Sequence, residues 1–439
     1  MTRTQRAPRR ELFGWAMFDF ANSSYTTVII TVAFSVLFPK LIVGDERRGN
    51  FLWSLALSIS LLLVALSGPV LGCLMDFSAA KKKFLFASYL LTVTATAGLY
   101  FATPGAVALC MVLIILSNYG FSVGENFASS FLPELGPPEE LGKISGIAWG
   151  IGYLGGLLST ALVFLLTTPH DASNLSGVRM IGPLTGLFFL LAGLPTFLLL
   201  KERGTPRVPP PGESLLGAGL RRLGRTLREL RDFRDLITFL CSFFFAYAGL
   251  SIVISFAFIY GDQVIGWSSG AQAGMFVLTN VSAAVGALLF GFIQERLGDK
   301  RTYNITLAIW VAAVVLIWGT PRLTEWLNTS LAKQWKAESV FLVIGSLAGL
   351  CLGSTQSAAR AIVGVFSPES KAGEFFGFWG LFGKLSAIFG LMSLGWLQLH
   401  FGLRASILLC AVFFLGAFAI AFFVNEKRGK QVARRYSGS

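Results

Sequence analysis

Twelve long apolar runs constrain the fold of this chain more than any other feature. A helix needs about 20 apolar residues to cross a bilayer, and each run approaches or exceeds that length. Because the backbone polar groups must be satisfied inside the lipid, runs of this length indicate helices. We expect membrane-spanning helices at roughly 12–42, 51–77, 84–103, 106–133, 143–168, 180–200, 234–262, 269–293, 303–320, 339–366, 373–398 and 402–424.

The composition excludes an ordinary soluble domain. Hydrophobic residues make up 54% of the 439 residues and charged residues only 13%. The first run carries Asp19 and Asn22, and no small-residue cleavage site follows it, so we expect a retained first helix. The five cysteines all lie in apolar runs without a CxxC spacing. They are therefore predicted to be packing residues, and neither disulfides nor metal ligands.

One long polar interruption, residues 201–234, divides the chain into two parts. Pro206 to Gly212 is proline-rich and cannot be helical. From Ser214 onward leucines recur at helical spacing and arginines fall largely on the opposite face. This segment is interpreted either as a helix on an anionic membrane surface or as a solvated basic connector. The predicted domains are an N-terminal six-helix bundle at 1–200, a cytoplasmic linker with a basic amphipathic helix at 201–233, a C-terminal six-helix bundle at 234–424 and a basic cytoplasmic tail at 425–439.

The net charge of +13 is explained by membrane topology and does not require nucleic acid. If the N-terminus is cytoplasmic, inside segments hold 26 Lys and Arg residues and outside loops hold 7. This asymmetry follows the positive-inside rule. The sequence therefore predicts a multi-pass membrane protein with both termini in the cytoplasm.

The two halves of the sequence contain matching loops. After the second predicted helix, Gly72 is followed by Asp76 and then by three lysines; after the eighth, Gly291 is followed by Glu295 and then by Lys300-Arg301, at an offset of 219. The connection PPEELGKISG at 137–146 likewise matches PESKAGEFFG at 368–377. Two matched pairs indicate an internal repeat, as many transporters have.

These residues carry a specific resemblance. The pattern Gly-x-x-x-acid followed by basic residues resembles the loop signature of the major facilitator superfamily. A finer similarity is to the autophagy-linked vacuole effluxer family and its bacterial relatives. It rests on GWAMFDFANSSY (14–25), FLPELGPPEELGKISGIAWGIGYLGG (131–156) and QSAARAIVGVFSPESKAGEFFGFWGLFGK (356–384).

The resemblance implies a fold and a mode of action. The fold is an all-α polytopic membrane protein of twelve transmembrane helices in two pseudo-symmetric six-helix bundles. The function is secondary active transport by alternating access, exporting small metabolites, typified by amino acids leaving a vacuole. Acids in the repeated loops are expected at the cytoplasmic interface of the halves, so Asp76, Glu295 and Arg296 are predicted gating residues.

Four ionisable residues lie well inside predicted spans: Asp19, Glu125, Arg360 and Lys384. Such residues are costly in a membrane and usually face a cavity or a partner. Each lies about 7 to 11 residues from the cytoplasmic end of its helix, which at 1.5 Å per residue is a similar depth. They contact either substrate and protons, or one another in salt bridges that only hold the halves together.

An amino acid needs a base for its carboxylate and an acid for its ammonium group. Arginine suits the carboxylate because its planar fork offers two parallel hydrogen bonds. Since no histidine lies in a predicted span, a desolvated glutamate is the expected proton carrier. The predicted substrate-binding residues are Asp19, Asn22, Tyr25, Gln356 and Arg360, and the predicted proton-coupling residues are Glu125 and Lys384.

The sequence shows no nucleotide motif, nucleophile elbow or metal cluster, so we expect no enzyme activity, cofactor or metal. The expected partners are a small-molecule substrate, a proton or other coupling ion and membrane lipids, without nucleic acid, for a monomer. The membrane is the cell inner or plasma membrane, or a vacuolar membrane in a eukaryote. The alternative functions are a facilitator of a lipid, sugar, peptide or drug, and a non-transporting scaffold or sensor of the same fold.

Overall fold

The computed structural model describes residues 6–167, 175–204, 206, 214–229, 231–331 and 334–437, which are helical almost throughout and contain no strand. Among these residues, eleven helices are long and apolar enough to cross a membrane, or up to twelve if one bent pair is a single span. The helices are α1 (Arg9–Val43), α2 (Glu46–Ser78), α3 (Lys81–Gly98), α4 (Val107–Ser129), α5 (Leu141–Thr167), α6 (Leu175–Leu199), α7 (Leu215–Glu229), α8 (Arg234–Tyr260), α9 (Ser269–Leu297), α10 (Asp299–Leu331), α11 (Ala337–Phe366), α12 (Ala372–Ser406), α13 (Leu408–Phe422) and α14 (Glu426–Ser437).

The chain divides into two compact units. The first contains Met1–Pro138, Ile151–Arg228 and Ser367–Leu381, and the second contains Glu139–Gly150, Glu229–Phe366 and Phe382–Ser439. Each unit therefore includes a short segment from the other half of the sequence. The first unit takes the beginning of α12, and the second takes the beginning of α5.

Leucine and phenylalanine side chains cover the outer faces of the helices. Leu165, Leu198 and Phe423 are among the most exposed large apolar residues, while most serines and threonines of the spans are buried. Such an arrangement suits a lipid environment, where helices present apolar surface outward. The predicted all-α membrane fold is confirmed.

Two predicted boundaries differ from the structure. The helix predicted at 303–320 continues through Pro321 to Leu331 as α10, because Arg322 and Glu325 disguise its last turns as a loop. The helix predicted at 402–424 starts at a break that the structure also has, but a further break interrupts it. Gly402, with φ 71° and ψ 165°, kinks the long α12, and a second break precedes α13. Only glycine adopts this φ without strain.

In each unit, an arginine that follows the last membrane helix forms an ion pair with an acid near the start of the first helix. In the first unit, Arg203 forms two hydrogen bonds with the Glu11 carboxylate, of 2.6 and 2.7 Å. In the second unit, Arg428 does the same to Asp235 at 2.5 and 2.7 Å. Forked pairs of this kind fix orientation as well as charge. The internal repeat therefore extends to these ion pairs, which the sequence comparison had not included.

A second repeated contact uses a lysine near the start of the third helix of each unit. Lys82 donates to the Leu200 carbonyl at 2.7 Å, and its backbone N–H donates to Glu202. Burial raises the pKa of Glu202, against the lowering effect of that N–H bond. Lys300 likewise donates to the Val424 carbonyl at 2.8 Å, and its N–H donates to Glu426.

These contacts change the register of the repeat. The offset of 219 aligns Lys81 with Lys300, but by its contacts Lys82 corresponds to Lys300. The reason is one extra residue, Ala80, between Ala79 and the start of α3; α10 follows directly after Gly298.

Candidate functional site

Arg360 is the most deeply buried basic residue among those described in the second unit, with 1% of its surface exposed. It lies on α11, and its Nε donates to Ser145 Oγ at 3.0 Å while its Nη2 donates to the Ser145 carbonyl at 3.1 Å. The guanidinium carbon lies 5.3 Å from the centre of the Trp149 ring. Hydrogen bonds and a cation–π contact therefore offset the cost of burying this charge.

Ser145 links two helices of the second unit. Its hydroxyl accepts from Arg360 and donates to the Ser357 carbonyl at 2.9 Å. Ser145 and Trp149 lie four residues apart on α5, so they share one face of that helix. The sequence analysis missed both as site residues. Their position in the segment KISGIAWG, which carries the family resemblance, was the available signal.

Gln356 lies one turn before Arg360 on α11, as predicted, and is half-buried. Its side-chain amide donates to the Leu352 carbonyl at 3.3 Å. Lys384 lies on α12 in the second unit and is almost fully buried. Neighbouring Gly383 packs beside Phe243 and Tyr247 of α8.

The first unit holds the other predicted site residues on α1 and α4. Asp19 is half-buried, and Asn22, one turn further, is 7% exposed. Among the residues that the structure describes, the side-chain oxygen of Asn22 has no hydrogen-bond donor. A buried acceptor without a donor is costly, and such groups call for an explanation such as a ligand or water. Glu125 is half-buried on α4.

Tyr25 is buried against α4. Its hydroxyl shares a 2.8 Å hydrogen bond with Ser117 Oγ, and its ring stacks on Phe121 with centroids 5.2 Å apart. From Tyr25 to Ala33 the backbone of α1 is π-helical, a geometry that often marks functional sites. The contact with Ser117 gives Tyr25 a packing role in this state, and its predicted contact with substrate stays a prediction.

Asp76, a predicted gating residue, caps the start of a helix within the first unit. Its two carboxylate oxygens accept from the backbone N–H groups of Gly373 and Glu374, each at 3.0 Å. The side chain is 1% exposed, and Lys81 approaches it to 3.9 Å. Carboxylates at helix N-termini are stabilised both by the unpaired N–H groups and by the helix dipole.

Glycines permit this approach of α2 to the first turns of α12. A Cβ on Gly72 would overlap the Gly373 carbonyl oxygen, and a Cβ on Gly377 would lie 2.6 Å from the Gly68 carbonyl oxygen. We call Gly68, Gly72, Gly373, Gly377 and Asp76 the first crossing.

Helix α7 of the linker adds a buried ion pair beside the first crossing. Arg222 donates through Nε to the fully buried carboxylate of Glu374 and through Nη2 to the Ser370 carbonyl. Thr226, one turn along, donates to the other oxygen of Glu374 at 2.5 Å. Burial lowers the pKa of Arg222, but the carboxylates of Glu374 and Asp76 more than offset this, so that pKa lies above its ordinary value.

The second unit has a corresponding crossing of α9 with α5. A Cβ on Gly291 would lie 3.2 Å from the Gly142 carbonyl oxygen and from Gly146 Cα. We call Gly142, Gly146, Ala287, Gly291 and Glu295 the second crossing. The predicted close packing at Gly142 and Gly146 is confirmed, and Gly150 likewise packs on Leu288.

Glu295 makes a side-chain contact and not a helix cap. Its carboxylate pairs with Lys143 at 3.0 Å, with 23% of the lysine and 35% of the glutamate side chain exposed. The lysine ammonium also lies 5.0 Å from the Phe292 ring centre. Arg296, the third predicted gating residue, is exposed.

The number and length of the described helices, with a glycine-lined crossing and an adjacent acid in each unit, agree with the major facilitator superfamily fold. Solved structures have the same fold. The proton:xylose symporter XylE bound to 6-bromo-6-deoxy-D-glucose matches with a TM-score of 0.68, 16% identity and 96% of each chain covered. The human organic anion transporter MFSD10 matches with a TM-score of 0.70, 17% identity, 95% of this chain and all of that chain covered.

The chain belongs to the family described as "Vacuole effluxer Atg22 like", whose profile matches residues 42–434. A relative from Bacillus subtilis, named an uncharacterized MFS-type transporter YxiO, is 25% identical over 433 residues, with 96% of each chain covered. Autophagy-related protein 22 of Coccidioides immitis is 23% identical over 490 residues, covering 95% of this chain and 80% of the relative. The predicted family is confirmed.

Proposed function

We propose that this transporter exports a small metabolite, an amino acid, and couples export to proton movement. The observation that carries the proposal is Arg360, a buried cation in α11 whose orientation is fixed by Ser145 and Trp149. A pre-oriented guanidinium binds a carboxylate with little loss of side-chain freedom. The word "effluxer" in the family's description supports the direction.

The ammonium group of the amino acid is assigned to α1. Asn22 offers a buried oxygen for which the described residues supply no donor, and Asp19 lies one turn before it. An ammonium group has three donors and needs a negative partner when it leaves water. In this proposal Asn22 and Asp19 fill that need, and Gln356 assists Arg360.

Glu125 is the proposed proton carrier. It is a half-buried carboxyl within a span, and ionisable side chains in such positions usually face a cavity or a partner. Lys384 on α12 is the second proposed proton-coupling residue. Glu125→Gln is then expected to abolish pH-driven transport and to spare substrate exchange.

Asp76, Glu295 and Arg296 act as gates in the alternating-access cycle. The contacts of Asp76 with the N–H groups at 373 and 374 hold the first crossing closed, and they must break for it to open. The proposed topology places both termini and α7 in the cytoplasm, in a cell inner or plasma membrane or in a vacuolar membrane.

Single-cysteine labelling tests the topology in a variant whose five native cysteines are replaced. A cysteine at the exposed Ser214 is expected to resist an impermeant reagent in whole cells, while one at the exposed Arg47 reacts. The opposite result would reverse the orientation.

Counterflow in proteoliposomes tests the substrate class. Purified protein is loaded with unlabelled amino acids, sugars, peptides or drugs in separate preparations, and entry of the labelled counterpart is followed. We expect exchange of neutral amino acids, with loss in Arg360→Ala. Exchange only of another class would favour that facilitator, and no exchange of any solute would favour a scaffold or sensor.

A further inference from the structure

A basic pocket lies at the elbow between α13 and α14, within the second unit, and its lining includes none of the residues assigned to transport. It is lined by the end of α9, the start of α10 and the turn that follows α13. Helices α13 and α14 are bent by 67° at this turn, so α14 leaves the direction of the span. Because α13 is apolar and α14 is rich in Lys and Arg, we place this turn at the boundary between hydrocarbon and headgroups.

Three cations line the pocket: Lys300, Arg301 and Lys427. Over the part of the chain that the structure describes, no acid lies within ion-pair distance of any of the three. The one acid in the lining, Glu426, is paired with Lys430 at 2.7 Å. The pocket therefore carries an excess of positive charge that its own walls do not neutralise.

Lys300 is held in place without being neutralised. Its ammonium donates to the carbonyls of Phe422 at 2.6 Å and Val424 at 2.8 Å. An ammonium has three donors, so one remains after these two bonds. Arg301 and Lys427 are both exposed, so their charged side chains are available to a ligand in the pocket.

The rim of the pocket is strongly apolar. Phe422 and Phe423 are 70% and 76% exposed, and Leu297 beside them is also exposed. Phenylalanines as exposed as these are costly in water but suit acyl chains. A free anion would gain nothing from them, whereas a lipid places its phosphate near the cations and its chains along the rim.

The corresponding turn of the first unit is one residue shorter. Glu202 is followed directly by Arg203, which pairs with Glu11, whereas Glu426 and its corresponding Arg428 are separated by Lys427. Lys427 is thus an additional cation that the internal repeat does not explain.

We propose that this pocket binds the phosphate headgroup of an anionic membrane phospholipid, with Lys300, Arg301 and Lys427 as ligands and Phe422 and Phe423 against the acyl chains. Basic pockets between helices at a membrane surface are known sites for anionic headgroups. The proposal does not depend on the transported substrate.

Lipid titration of the purified full-length protein tests this. Delipidated protein in detergent is titrated with phosphatidylglycerol, with phosphatidylcholine and with inorganic phosphate, and bound lipid is counted by native mass spectrometry. We expect one saturable phosphatidylglycerol site. Each basic residue near an anionic surface contributes about fivefold in affinity, so Arg301→Gln with Lys427→Gln should weaken binding about thirtyfold.

The matched control is Arg47→Gln with Arg48→Gln, which removes the same charge from exposed residues at the start of α2. This control variant should bind phosphatidylglycerol with an affinity within about twofold of wild type, which is less than the about fivefold effect of one basic residue. Phe423→Asn separates the two sources of phosphate, because it should weaken phosphatidylglycerol and leave inorganic phosphate unaffected. Equal phosphatidylglycerol binding by wild type and the Arg301–Lys427 variant would overturn the proposal, as would inorganic phosphate competing as well as the lipid.

Discussion

The first and second crossings have the same backbone plan but different electrostatics. Both bring helices together at glycines, at Gly72 in one and Gly291 in the other. At the first crossing the acid is buried and accepts two backbone N–H groups, and a buried Arg222–Glu374 pair lies beside it. At the second crossing the acid is partly exposed and meets one lysine side chain.

This difference indicates that an internal repeat conserves helix packing more strictly than charge placement. Glycine spacing determines how closely backbones approach, and a single methyl group can prevent it. An ion pair at the edge of the same contact can be more exposed, and therefore weaker, without any movement of the backbone. The first crossing is therefore expected to be the harder of the two to open, because its charges lose buried partners when it separates.

The largest expected loss of stability comes from breaking the buried ion pair beside the first crossing, compared with the partly exposed pair of the second crossing. Arg222→Gln leaves the Glu374 carboxylate buried without its cation, and breaking a buried pair from one side costs about 3–5 kcal/mol. Lys143→Gln, at the partly exposed pair of the second crossing, should cost less than about 1 kcal/mol. Thermal unfolding in detergent measures both. Equal shifts in the two variants would contradict the contrast drawn between the crossings.

A smaller effect is expected from adding one methyl group at each crossing. The Cβ of Gly72→Ala would overlap the Gly373 carbonyl oxygen, so α2 and α12 must separate, at about 1–3 kcal/mol. In Gly291→Ala the nearest atoms are 3.2 Å away, so a shift of a few tenths of an ångström suffices. Transport rate and melting temperature should both fall further in Gly72→Ala. A larger loss in Gly291→Ala would show that the second crossing is the tighter one.

The smallest of the three effects concerns the acids themselves. Asp76→Asn retains one acceptor but loses the charge at the start of α12, worth about 1 kcal/mol, or roughly a fivefold shift toward inward-open states. Glu295→Gln should shift the same equilibrium by about twofold at most, since its ion pair is partly exposed. Cysteine accessibility in both cavities reports this equilibrium. Unchanged accessibility in Asp76→Asn would refute the gating role of that residue.

Hydropathy was sufficient to predict the spans, and glycine spacing the close packing of α5, while the family was predicted from the segments at 14–25, 131–156 and 356–384. Hydropathy and glycine spacing have a limit, however. They could not predict which arginine of α7 would be buried, because its four arginines look equivalent until the rotation of the helix is known. Arg222 and Thr226 lie four residues apart and share the face that meets Glu374, whereas Arg225 is exposed. The burial of Arg222 depends on contacts between segments that are distant in sequence, and hydropathy contains no information about such contacts.

The candidate site could be predicted only in part, because some of its residues are identified by contacts between distant segments. A cation inside an apolar run identified Arg360 without any tertiary information. Ser145, which orients it, is an ordinary serine in sequence and becomes informative only when α5 and α11 are placed side by side. The register change at Ala80 was also hidden, since one residue in a short loop alters no hydropathy signal.

The central claim, that Arg360 receives the carboxylate of an amino acid, is tested most directly by binding a pair of ligands that differ only in that group. Leucine and isoamylamine are titrated into purified wild type and Arg360→Gln protein. A charged hydrogen-bonded pair in a desolvated site is worth about 2–5 kcal/mol, so wild type should prefer leucine by about thirtyfold or more. Arg360→Gln should bind the two alike; a variant that keeps the wild-type preference for leucine would contradict the claim.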